Sequence, residues 1–168
     1  MGTVIVIPMK IAEKIRKLGL DPESIVIEIL TERLGMDPRE AAEVHLELAE
    51  KYFREGLELV DKDPIQASEK LYKAAEEILK AIAKHLNLVD ILGKVRERGR
   101  WTVTDREKVA RIGAKVFGEE IYVGWDRASY LHVWGFHEAK LDSEAVRVRA
   151  PYIEKMIELV KQRICGSS

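Results

Sequence analysis

A single cysteine, a single asparagine and two glutamines are all that 168 residues hold of those three types. With only Cys165, one chain can build neither a disulfide framework nor a cysteine-based metal site. The scarcity of amides, set against abundant Glu, Lys, Arg and Ile, is the balance of proteins that work at high temperature. No apolar run is long enough to cross a bilayer, and the N-terminal stretch lacks the layout of a secretory signal, so the expected location is the cytoplasm. Neither charge sign dominates: 28 Lys and Arg face 29 Asp and Glu, for a net charge of −1. That excludes a broad electrostatic nucleic-acid surface but not a small local one. Glycine-rich phosphate loops, Ser-His-Asp arrangements, repeats and low-complexity segments are also missing.

What is present is amphipathic helix. Only Thr3 to Ile7, a β-branched run closed by Pro8, reads as a strand. A short helix to Leu18 and a second one capped by Asp21-Pro22 follow, the strand-helix-helix order of a ribbon-helix-helix module. The strand offers no Arg, Lys, Asn or Gln to read a base, so residues 1–36 read as a ribbon-helix-helix-like or dimerisation extension with little direct base readout. Residues 37–168 read as a helical bundle. Asp37-Pro38 and Asp63-Pro64 each open a long helix, and the short turn between them requires an antiparallel hairpin. His45 borders the inner face of the first helix and reads as a surface or edge residue. Residues 87–103 lose periodicity and read as a basic connection carrying Lys94, Arg96, Arg98 and Arg100 before Trp101. Thr104-Asp-Arg-Glu107 reads as a capping box, and Pro151 divides the last section. The fold class is all-α, an up-and-down antiparallel bundle with a small N-terminal strand-helix-helix extension.

The chemistry concentrates between Gly124 and Leu141, which reads as one helix. With Ile121 just before it, Trp125, Ala128, His132, Gly135 and Ala139 form a stripe whose small members let another backbone come close. Gly135 costs a helix about 1 kcal/mol relative to Ala, which close packing would offset. His132 therefore faces a crowded contact. As α-helical residues five apart, Arg127 and His132 diverge by about 140°, as do His132 and His137. With no HExxH spacing and no Cys ligand, no metal or other cofactor is expected. The aromatics Trp101, Trp134 and Phe136 are either core or a platform for a base.

Three segments carry a family resemblance: Ala67-Ser-Glu-Lys-Leu-Tyr-Lys-Ala-Ala-Glu-Glu77, Gly99-Arg-Trp-Thr102 and Leu131-His-Val-Trp-Gly-Phe-His-Glu-Ala-Lys-Leu141. Over roughly residues 41–160 the chain resembles the first type of the archaeal PaREP proteins, a family without established activity. That family is similar in architecture to the HEPN bundles, which bind nucleotides or cleave RNA. HEPN proteins are often homodimers and often accompany a nucleotidyltransferase partner. The resemblance implies a HEPN-like, dimeric module that recognises a nucleotide, RNA or partner protein. The alternative it implies is a metal-independent, toxin-like ribonuclease using an Arg-x4-His motif, here Arg127 and His132. Histidine would take the 2′-hydroxyl proton while arginine holds the phosphorane's charge, a two-fold dimer bringing two copies into one composite site. Ala128 stands where cleaving members carry a polar residue, which favours binding over cleavage. Trp101, Asp126, Tyr130, Trp134, His137 and Glu138 complete the candidate binding residues.

Overall fold

The structure, a computed structural model, describes residues 2–166. It divides into two compact units, Met1–Asp37 and Pro38–Ser168. The described residues form α-helices and one π-helical segment, with no strand among them. In the first unit, α1 (Met9–Lys17) and α2 (Pro22–Arg33) are joined through Gly19, which takes a positive φ of 71°. Asp21 caps α2 by accepting from the Ser24 N–H at 2.9 Å, and Pro22 sits at the first helical position. The stretch 3–7 forms no ladder, because a strand needs a second strand and none among the described residues pairs with it. Val4 and Val6 are 91% and 89% exposed.

The second unit is built around α3 (Pro38–Leu59) and α4 (Pro64–His85), the expected antiparallel hairpin. Asp63 caps α4 through the Gln66 N–H at 3.0 Å. Gly56 lets the two helices close up, since a Cβ there would stand 2.9 Å from the Leu71 side chain. Five further α-helices and the π segment then wrap α4: α5 (Val89–Arg98), α6 (Val103–Phe117), α7 (Glu120–Tyr130), the π segment Leu131–His137, α8 (Ser143–Arg147) and α9 (Ala150–Cys165), of which α8 is a single short turn. Leu71, Ala74, Ala75, Ile78, Leu79 and Ile82 of α4 are completely buried. At the α7–α9 crossing, a Cβ on Gly124 would collide with Met156.

Several local expectations are corrected. Residues 89–98 are helical, closed by Gly99 at φ 72°, and not an irregular connection. Arg98 forms a fork on Asp105, at 2.8 and 3.1 Å. The capping box lies two residues earlier than read: Thr102 accepts from the Asp105 N–H, and Asp105 accepts from the Thr102 N–H. Both T-x-x-acid patterns exist in the sequence. The earlier one prevails because its acid also holds Arg98.

His45 is not at an edge but completely buried. Its Nδ1–H donates to Glu77 Oε2 at 2.6 Å, and Lys80 Nζ donates to Glu77 Oε1 at 2.8 Å. Its Nε2 is buried without a hydrogen-bond partner among the described residues. Burial alone would raise the Glu77 carboxyl, but the Lys80 ammonium and the His45 bond outweigh it and hold the group down at about 2, from an ordinary 4.5. The stabilisation from Glu77 is therefore complete above about pH 4.5 and is lost as pH falls through about 2. Glu77→Gln should remove that acid-side dependence and destabilise the fold by about 3–5 kcal/mol, since Lys80 keeps its charge without its counter-ion. Thermal unfolding of both proteins between pH 2 and 7 checks this.

Candidate functional site

On α4, Glu69, Tyr72 and Glu76 recur at steps of three and four and so share one face. That face meets the π segment and α6. Gly135 makes the approach possible, because a Cβ at this position would collide with Ser68 of α4. The close packing expected of Gly135 is thus present, and its partner is Ser68.

The stretch read as one helix changes its winding after Tyr130. In the π segment, hydrogen bonds run over five residues, as in Glu138 N–H to Val133 O at 2.9 Å. The wider turn brings residues five apart onto one side. His132 and His137, which an α-helix would separate, meet with their Nε2 atoms 3.0 Å apart. The segment ends abruptly, with Ala139 in the left-handed region at φ 51°.

His132 is the centre of the cluster. Its Nδ1 lies 2.8 Å from Glu69 Oε2. A carboxylate only accepts, so Nδ1 carries a proton; when the ring is neutral, Nε2 is left to accept from His137 Nε2–H. The result is a directed chain, His137 to His132 to Glu69, running from an exposed imidazole to a half-buried carboxylate. The His132 ring stacks on Tyr72 with centroids 3.9 Å apart and planes at 21°. Tyr72 in turn lies 5.7 Å from Trp125, and His132 lies 6.1 Å from Phe136. These four rings form a column from the core outward. Beside it, Glu76 receives Arg106 Nη2 of α6 at 2.8 Å and the Tyr72 hydroxyl. Burial, with the Glu76 charge next, pushes the Tyr72 phenol well above its ordinary range, so it stays a neutral donor.

Arg127 is not part of this cluster. It is exposed, with its guanidinium 5.1 Å over the ring of Tyr152 on α9. Within one chain the Arg-x4-His pair is therefore held by different partners, Tyr152 for Arg127 and Glu69 for His132. Trp101 is buried and offers no free face to a base, because the chain runs inward there to reach the α6 cap. Asp126 and Glu138 are exposed. Tyr130 and Trp134 are 43% and 44% exposed. Their rings lie 6.3 Å apart, and the Arg149 guanidinium sits 4.3 Å over Tyr130.

A family model for the archaeal PaREP1/PaREP8 family matches residues 44–157. The chain belongs to that family. A crystal structure of a protein from Sulfolobus solfataricus is similar at 35% identity and a TM-score of 0.63, over 67% of this chain and 93% of its own. A solution structure of the same structural-genomics target is similar at 33% identity and a TM-score of 0.60, over 71% and 93%. No curated protein matches the sequence. In this PaREP1/PaREP8 chain, the three segments that carried the resemblance occupy one neighbourhood. The α4 segment supplies Glu69, Tyr72 and Glu76, the π segment supplies His132 and His137, and the Gly99–Thr102 turn launches the helix that carries Arg106. Glu69, Tyr72, Glu76 and Arg106 were not singled out from sequence. The available signal was the spacing of Glu69, Tyr72 and Glu76 at steps of three and four along α4.

Two substitutions check the PaREP1/PaREP8 cluster. Gly135→Ala should cost about 1–3 kcal/mol by overpacking against Ser68, read as a lower melting temperature. Glu69→Ala should remove the acceptor for His132 and erase a slowly exchanging imidazole N–H from the proton NMR spectrum. The buried His45 N–H on Glu77 should remain as a reference, and a His132 N–H that still exchanges slowly in this variant would show that Glu69 does not hold His132.

Proposed function

We propose that this protein is a HEPN-like, homodimeric module that binds a nucleotide or single-stranded RNA without cutting it. The observation that carries the reading is the surface formed by the outer end of the histidine chain together with exposed aromatics. His137 uses Nε2 towards His132 and keeps Nδ1 for a ligand, while Tyr130, under Arg149, and Trp134 present ring faces. Stacking of a base on an exposed aromatic contributes about 1–3 kcal/mol and tolerates any base. A neighbouring guanidinium adds a phosphate contact.

The engagement of Arg127 with Tyr152 and the presence of Ala128 support binding over cleavage. Cleavage needs cation and base at one phosphate, and each of this pair is committed elsewhere. The dimer is supported by the first unit. Its described residues bury only Ala12 and Thr31, while Val4, Ile5, Val6, Met9, Ile11 and Leu34 are exposed. So small a unit has too little core to be stable alone, and antiparallel pairing of 3–7 with a second copy would cover its apolar faces.

Trp134→Ala should weaken binding of a fluorescent oligoadenylate about tenfold or more with little change in melting temperature, measured by anisotropy at fixed salt. The same RNA should come through prolonged incubation with the parent protein uncut. Light scattering should give a dimer, and deletion of the first eight residues should shift it towards monomer.

A further inference from the structure

A concave surface lies on α6, with the start of α7 and α5 around it. It is a groove of about 610 Å³, within the range of small-molecule sites. Its floor is apolar, formed by Ile91, Ile112 and Ala114. Along its wall stand Lys108, Arg111 and Lys115. Spaced by three and four residues on one helix, they form a single row about 10 Å long.

These cations differ from several others in the bundle. Arg39, Lys70, Arg106 and Lys161 each hold a carboxylate. Lys108, Arg111 and Lys115 hold none among the described residues, so their charge is available to a ligand. Their aliphatic stems extend the apolar wall while the charged heads reach the rim. Two further groups face the groove. Tyr122 spends its hydroxyl on Glu107 at 2.5 Å. Glu119 is the one acidic lining residue, beyond Lys115, and turns an anion towards Lys108 and Arg111.

We propose that this groove binds an anionic amphiphile, an apolar chain ending in a phosphate or diphosphate, with the chain on Ile91 and Ile112 and the head group at Lys108 and Arg111. Charge complementarity sets the head group, since three uncompensated cations suit a multiply charged anion better than a neutral one. The floor sets the tail. A peptide strand or a nucleobase laid on the floor would bring amides and ring nitrogens that need hydrogen-bond partners, and the side chains of Ile91, Ile112 and Ala114 offer none. A hydrocarbon chain needs none. The inference is independent of the nucleotide-binding reading and uses none of its residues.

Isothermal titration of the full chain with decyl phosphate, kept below its micelle-forming concentration, tests it. The expected result is one site per chain, with binding at least tenfold weaker to either decanol or inorganic phosphate. Lys108→Gln combined with Arg111→Gln should weaken decyl phosphate binding at least tenfold, and Ile91→Asn should also weaken it. Lys155→Gln should not, and Trp134→Ala should leave it unchanged, which separates this groove from the aromatic surface. Absence of binding in the parent would overturn the proposal. So would equal binding of inorganic phosphate, an undiminished affinity in the Lys108 and Arg111 double variant, or displacement of the amphiphile by a short RNA.

Discussion

Because α4 is enclosed by other helices along most of its length, no polar residue on its inner faces can rely on water. Each must find a partner on a neighbouring element, and those partnerships organise the second unit. Glu77 takes His45 from α3 and Lys80 from its own helix. Glu76 takes Arg106 from α6. Glu69 takes His132 from the π segment. Apolar contact alone would allow neighbouring helices to slide or rotate. A buried carboxylate with one correctly placed donor does not, because a displaced helix would leave it unpaired. Three carboxylates on one helix thus index three neighbours.

The parts of this arrangement legible in the sequence are those governed by local chemistry. Asp63-Pro64 and Asp21-Pro22 mark helix starts because caps and fixed φ act within one turn. The α3–α4 hairpin follows from a connection too short for anything else. Contacts across the bundle were less legible. His45 looks like an edge residue from the periodicity of α3 because its partner lies 32 residues away. The local pattern alone favours a capping box two residues later than the real one, because the deciding partner of Asp105 is Arg98 on the preceding helix. The stretch 3–7 has strand composition, but composition does not supply a second strand.

The candidate site shows the same division. His132 was recognisable as a residue facing a crowded contact, and Gly135 as the reason for the crowding. The meeting of His132 and His137 was not, because a regular 100° step separates them and only the change of winding after Tyr130 unites them. The π segment follows from its surroundings more than from its own propensities: the Ser68–Gly135 approach, the Glu69–His132 bond and the turn at Ala139 act within a few residues of one another. The family resemblance located the right segments without saying which side chains meet. Arg127 and His132, paired by spacing, take different partners, while the second histidine of the motif joins the first.

The His45–Glu77–Lys80 cluster also bears on temperature. Withdrawing charged groups from water is most unfavourable in the cold, because their hydration weakens as temperature rises, whereas apolar stabilisation per unit area levels off. The α3–α4 seam contains both kinds of contact. Its hydrocarbon portion gains little on heating beyond the ordinary range, but its ionic portion becomes less unfavourable relative to the unfolded chain. The seam is thus matched to hot surroundings and comparatively handicapped in cool ones, in keeping with a sequence that holds so few thermolabile amides.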